Sequence, residues 1–281
     1  MHTLLEPFAY GFFRHAIWVA VIAGALCGLV GTYVVLRVMS YIGHGLSHAV
    51  FGGAAIAFVF GVNPLAGAFL VGILAAGLIN GISRRRTIGA DAAIGVITSG
   101  LFAVGIAIVS VRHIPGFSDA LLFGNVLGVT SKDVVLVAVV ASVSAIVVFL
   151  RYRPLLFSTF DPEVAEVSGV STAWIDLLLA LMLASTITVT MNVVGVMLIA
   201  AMLVIPPVIG RLLTDSFHRM LWISVATGAV CGFVGVYLSY YLDWPSGATV
   251  VLTAAALFVV AYLVSNLRNR RPLPDVGFEL H

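Results

Sequence analysis

The sequence predicts an all-α polytopic membrane protein of eight or nine transmembrane helices. Of its 281 residues 61% are hydrophobic and 9% charged, against about 25% charged in soluble domains, and mean hydropathy is +1.15. Its apolar runs approach the ~20 residues a helix needs to cross the hydrocarbon core. Arginines recur at every second segment between those runs. Lipid offers no partner to a bare backbone amide, so only helices or a closed barrel can span it. Barrel strands would alternate with a period of two; these runs do not.

Residues 1–14 (MHTLLEPFAYGFFR) are aromatic-rich and mildly apolar, which suits an interfacial segment anchoring the first span. The transmembrane domain is expected over 15–265, with apolar windows at 15–36, 39–60, 64–83, 92–111, 133–150, 173–190, 193–210, 220–241 and 247–265. The boundary between the sixth and seventh is weak, because Met191-Asn192 hardly interrupts the hydrophobicity. Pro64, Pro206-Pro207 and Pro245 mark helix starts or kinks. The polar tail 266–281, with Pro272 and Pro274, is expected to be poorly ordered. No short apolar region with a small-residue cleavage site precedes the first run, so no removable signal peptide is expected.

Arg37, Arg84 to Arg86, Arg151 and Arg153, Arg211 and Arg219, and Arg268, Arg270 and Arg271 fall at alternate inter-helix segments, whereas the intervening ones hold only Arg112 and Lys132. Basic loops stay cytoplasmic, so nine spans with the N-terminus outside and the tail inside satisfy the pattern. A formal charge of +2 is too small and too scattered for nucleic-acid binding. Cys27 and Cys231 fall in apolar runs and read as small core residues. Small residues four apart, Gly24 with Gly28 and Gly228 with Gly232, allow close helix approach either within one subunit or between two.

Ionisable groups inside spans are costly and hence functional suspects. SYIGHGLSHAVFGG, residues 40–53, places His44 and His48 one helical turn apart on one face. With the span starting near Val38, a rise of ~1.5 Å per residue sets them roughly 9 and 15 Å deep. Neutral imidazole is a common ligand for borderline transition metals, and a His-x-x-x-His pair supplies two ligands, so oxygens, waters or a second subunit would complete a site. Ser47 and Gly52 are candidate pathway-lining neighbours, and the local glycines let a backbone or an ion come close. The alternative is two histidines hydrogen-bonded to backbone or to Ser47 within the bundle.

The segment 151–172 (RYRPLLFSTFDPEVAEVSGVST) is the longest loop on the arginine-rich side. Asp161 reads as an N-cap, Pro162 as the first helical residue and Glu163 as a first-turn acid. Ala165 continues that helix and Gly169 stops it. Such a helix, about 161–169, either docks a cytoplasmic partner or covers the membrane surface. Asp91 suits a helix cap and Asp176 an interfacial position; His113, with Asp119 nearby, either meets an incoming cation or has no special role. No zinc-protease, nucleophile-elbow or phosphate-loop signature occurs, so a chain that pumps with ATP would have to borrow its ATPase.

Four stretches together carry a resemblance: VGTYVVLRVMSYIGHGLSHAVFGGAAIAF, DAAIGVITSGLFAVGIAIVS, FDPEVAEVSGV and VVGVMLIAAMLVIPPVIGRLL. From about residue 10 to 265 the chain resembles the membrane permeases of bacterial zinc- and manganese-uptake ABC importers. The resemblance implies a type II ABC importer-like permease fold in the bacterial inner membrane. It also implies a homodimer with cytoplasmic ATPase subunits and an extracytoplasmic metal-binding protein. ATP would be hydrolysed on the partner, so this chain would be a transport subunit with no permanently bound cofactor, and zinc or manganese its cargo. In the family pattern G-D-A-L-S-H-A-V-L-P-G the Asp and His are thought to line the translocation site. Carried over, His48 stands at the His position, His44 replaces the Asp, and Gly52 replaces the Pro. Exchanging a hard carboxylate for imidazole shifts ligand preference from manganese towards zinc. In the coupling loop the match covers Asp161, Pro162, Glu163, Ala165 and Gly169. The rival reading is a proton-coupled secondary transporter with His44 and His48 as relays.

Overall fold

A computed structural model describes residues 6–37, 40–83, 90–112, 121–124 and 128–269. After a 3-10 turn at Glu6–Ala9 come α1 (Gly11–Leu36), α2 (Ser40–Val59), α3 (Pro64–Ser83), α4 (Ala90–Arg112) and α5 (Ser131–Leu150). Two short helices follow, α6 (Tyr152–Phe160) and α7 (Pro162–Val167), then α8 (Thr172–Val194), α9 (Val196–Leu213), α10 (Phe217–Leu242) and α11 (Ser246–Asn269). The nine long helices among the described residues coincide with the nine apolar windows. Seven are long and apolar enough to cross a membrane unaided; α3 and α9 carry shorter apolar stretches, Pro64–Ile79 and Leu198–Leu213. The arginine triplet at 84–86, His113 and the tail from 270 onwards lie outside the described residues.

Helix boundaries follow local chemistry. Gly61 at φ +68° turns the chain out of α2; the Leu65 amide then donates to Asn63 Oδ1 at 2.9 Å, and Pro64 opens α3. Thr130 and Asp133 start α5: both the Thr130 amide and its hydroxyl donate to Asp133 Oδ2, at 2.8 and 2.7 Å. Pro206 and Pro207 sit inside α9 rather than ending it. Pro207 has no N–H for the Leu203 carbonyl, and that carbonyl lies against α1, where a Cβ on Gly31 would come within 2.0 Å of it.

Two helices form the centre. In α1 and α2 about two-thirds of the spanning window is buried, against 17% in α5, so α5 is a peripheral helix. Small residues set the closest seam: Gly24 of α1 lies over Gly228 of α10, Gly28 over Ser224, and Ala20 over Gly232. The repeated small-residue spacing therefore serves packing within one chain. As numbering rises along α1 it falls along α10, so the two run antiparallel. Gly45 meets Thr98 of α4 and Gly52 meets Leu101, so α2 and α4 run parallel. Both directions agree with the path that the arginines predict. Near the first residues of α1, Phe8 packs edge-on to Phe13 at 5.4 Å and tilted against Tyr237 at 6.4 Å.

Two features differ from expectation. The sixth and seventh spans divide at Gly195, not at Met191-Asn192: its φ of +83° breaks the helix, whereas Met191 and Asn192 keep helical geometry. Hydropathy could not show this, because glycine interrupts an apolar run through its backbone rather than its polarity. The second is α6, which the basic opening and Pro154 obscured; that proline sits in its first turn, where no amide donor is lost. A Cβ on Gly195 would lie 2.4 Å from the Leu122 carbonyl oxygen and 2.5 Å from the Gly124 amide. Gly195→Ala is expected to cost on the order of 1–3 kcal/mol through backbone strain alone, measurable as earlier thermal unfolding of the detergent-solubilised protein.

Candidate functional site

His44 is exposed and His48 half-buried on α2. Their Nε2 atoms lie 3.4 Å apart, and the rings meet edge-on with centroids 4.8 Å apart. One helical turn brings them together, as the sequence spacing predicts. Phe102 of α4 closes one side, its ring 4.6 Å from His48 at 87°, and Phe51 packs behind it at 5.3 Å. Two ring nitrogens converge beside an apolar wall, and the His44 side remains open.

The neighbouring candidates serve other ends. Ser47 is fully buried, and its hydroxyl donates to the carbonyls of His44 at 2.8 Å and Gly43 at 3.1 Å. Its proton is therefore given to its own helix and not to either imidazole. Gly52 lies in the α2–α4 seam, where a Cβ would come within 2.3 Å of the Leu101 carbonyl oxygen. That contact explains why no larger residue stands there: the α4 backbone needs the space. Among the described residues no group of three or more His, Cys, Asp and Glu gathers to hold a metal ion. The pair itself offers two nitrogen ligands. Beside it, α4 exposes a face that interleaves the small residues Ser99, Gly100, Ala103 and Ala107 with Val96, Val104 and Ile106.

At the arginine-rich end the capped helix forms as its sequence predicts. Asp161 Oδ1 accepts the Val164 amide at 2.9 Å, Pro162 is the first helical residue and Glu163 lies in the first turn. Ala165 is buried beneath it, and Gly169 leaves the helix at φ +81°. The Thr172 hydroxyl donates to Glu166, tying the helix to α8. Phe157, Phe160 and Val164 are exposed, and Val167 is 92% exposed. An apolar surface thus stands outside the bundle on a segment too short to span anything.

Asp176 is more than an interfacial acid. Arg37, at the end of α1, donates Nη1 to Asp176 Oδ1 at 2.6 Å, Nη2 to Ser158 Oγ at 2.8 Å and Nε to Thr159 Oγ1 at 3.2 Å. Opposite charges at the same end of two predicted spans were the available signal; the hydroxyls lie on the unforeseen α6. A cavity of about 490 Å³ adjoins this cluster, lined among others by Tyr33, Tyr41, Leu46, Pro162 and Asp176. The Tyr33 hydroxyl is buried with no hydrogen-bond partner among the described residues. Asp91 lies on α4 with its side chain outside the described residues.

The profile of the ABC 3 transport family matches residues 9–265. The chain is 36% identical over 264 residues to the manganese transport system membrane protein MntB of Synechocystis sp., covering 93% of this chain and 86% of that protein. It is 37% identical over 265 residues to the chelated iron transport system membrane protein YfeC of Yersinia pestis, covering 93% and 89%. Among solved structures, PsaBC from Streptococcus pneumoniae in complex with Fab superposes with a TM-score of 0.86 at 30% identity, covering 95% of this chain and 99% of that one.

Proposed function

The chain belongs to the ABC 3 transport family, the membrane permeases of bacterial metal ABC transporters in the inner membrane, and from that premise we propose that two copies form an ATP-driven importer of divalent metal. The observation that carries this is the His44–His48 pair, two converging nitrogens on an open face of a central helix. Two ligands per copy become four when a second copy faces the first, enough for a tetrahedral site. The small residues exposed on α4 support that arrangement, because small side chains let helices of neighbouring subunits approach in lipid. Alternating access would then expose the shared site to one side at a time.

Zinc is the favoured cargo, since an all-imidazole set suits a borderline ion better than manganese. Manganese is the second candidate, supported by the name of the Synechocystis relative, and iron by that of the Yersinia one. An extracytoplasmic binding protein would deliver the metal. The helix α7, with Asp161, Pro162, Glu163, Ala165 and Gly169 fixing its ends and seat, would receive the ATPase subunit on its exposed apolar surface. Reconstitution with both partners tests the whole reading: zinc or manganese should accumulate only with ATP. Uptake that persists without ATP but collapses with the proton gradient would instead favour the secondary transporter.

The docking role of α7 has its own test. Val167→Asp puts a charge on the most exposed apolar residue of that surface, and co-purification of the ATPase subunit should fall about tenfold or more, the effect of losing an interface anchor. Retention at the parental level would remove α7 from the coupling interface.

A further inference from the structure

We infer that Arg37 is the positioning residue that carries movement of the α6–α7 segment into α2, the helix bearing His44 and His48. The inference rests on the proposed role of α7 as the coupling helix and adds the route by which that helix reaches the metal pathway.

Arg37 follows the last residue of α1, its amide still bonded to the Tyr33 carbonyl at 3.0 Å, and Ser40 opens α2 three positions later. It therefore sits at the joint from which α2 departs. Its side chain is only 9% exposed, and its guanidinium binds the elements on both flanks of α7: Ser158 and Thr159 on α6, Asp176 on α8. The planar fork meets three acceptors at fixed angles, which an ammonium could not do. Thr159 is itself oriented, its hydroxyl donating to the Leu155 carbonyl at 2.6 Å. A charge-assisted, largely desolvated cluster of this kind is stiffer than a surface ion pair.

The cavity separates α2 from the α6–α7 segment itself, although α2 also packs on α8. Its wall includes Tyr41, Ile42 and Leu46 from α2 and Ser158, Thr159 and Pro162 from the α6–α7 segment. Where these elements face each other there is space instead of interdigitated side chains, and a gap forfeits the contacts that transmit displacement. Leu46 and Ile42 lie on the side of α2 away from the histidines, and only Tyr41, in the first turn, lies towards their face, so most of the cavity's α2 wall stands behind the metal-facing surface. A push on α7 can therefore swing α2 into this volume through its joint at Arg37.

The assembled transporter, with its ATPase and binding protein in proteoliposomes, tests this, with zinc and manganese each supplied alone. Arg37→Gln and Asp176→Asn should leave ATPase retention unchanged and ATP hydrolysis within about twofold, while metal moved per ATP falls about tenfold, inside the range of typical coupling between sites. Arg37→Lys should recover part of the yield by keeping the charge opposite Asp176. The Gln/Asn double variant should be no worse than Arg37→Gln alone, which already removes the ion pair together with both α6 bonds. Unchanged metal per ATP in Arg37→Gln would overturn the inference, as would hydrolysis and transport falling in proportion. If Arg37→Gln fails to assemble, Ser158→Ala with Thr159→Val gives the same readout, severing α6 while sparing the ion pair. Should Val167→Asp retain the ATPase fully, the coupling role of α7 fails; should it release the ATPase while Arg37→Gln transports normally, only the Arg37 link fails.

Discussion

Replacing Gly24 by alanine should remove the folded protein from detergent extracts, and Gly228→Ala should do the same. The added Cβ is the whole perturbation: at Gly24 it would stand 2.1 Å from the Gly228 carbonyl oxygen, and at Gly228 the same distance from that of Gly24. Both obstacles are backbone, so no side chain can rotate away, and α1 and α10 must move apart along their length. Between two helices that lipid solvates equally well, close packing is the main attraction, so separation loses the interaction that closeness provides. Over-packing ordinarily costs about 1–3 kcal/mol where neighbours can adjust. Here they cannot, and the cost should pass the upper end of that range, a large share of the ~5–15 kcal/mol that holds a typical fold. Gly81→Ala is the control, being exposed with nothing within 4 Å of its added Cβ. Size-exclusion profiles of tagged protein should show a sharp peak for that control and aggregate for the seam variants. A monodisperse Gly24→Ala would refute the seam.

What the sequence made legible is what hydropathy and spacing encode. Nine apolar windows became nine long helices among the described residues, and the arginine alternation agrees with the antiparallel α1–α10 and parallel α2–α4 registers. The cap at Asp161-Pro162 was legible for the same reason: its chemistry is complete within four residues. Features built across distant segments were not. Gly195 looks like one of 28 glycines until residues 122–124 are seen against it. Arg37 and Asp176 are 139 positions apart, and nothing local in either says that they meet. Ser47 shows the reverse limit: proximity to two histidines suggested a shared role, yet its hydroxyl is taken by its own helix. The histidine pair was legible because helical periodicity alone sets its geometry.

Metal uptake should all but disappear in His48→Ala and change character in His44→Asp. Removing His48 deletes one of two nitrogens and leaves His44 exposed with no neighbour to share an ion. Disturbing even an outer partner of a metal ligand costs about 10–100-fold in affinity or activity, so losing a direct ligand should cost at least that much in zinc uptake. His44→Asp should retain flux, because aspartate still offers a ligand on the same face one turn from His48. Its oxygen is harder than imidazole nitrogen, so the ratio of zinc to manganese uptake should fall. The two variants should also differ with pH. A protonated imidazole cannot bind metal, so parental uptake should decline on acidification. In His44→Asp one of the two ligands stays deprotonated to much lower pH, and the decline should be shallower. Paired isotope uptake at several pH values, with protein amounts matched by immunoblot, separates these effects from expression. Parental uptake in both variants would exclude the pair as the pathway. An unchanged zinc-to-manganese ratio in His44→Asp would leave His48 as the ligand and deny His44 any part in choosing the metal.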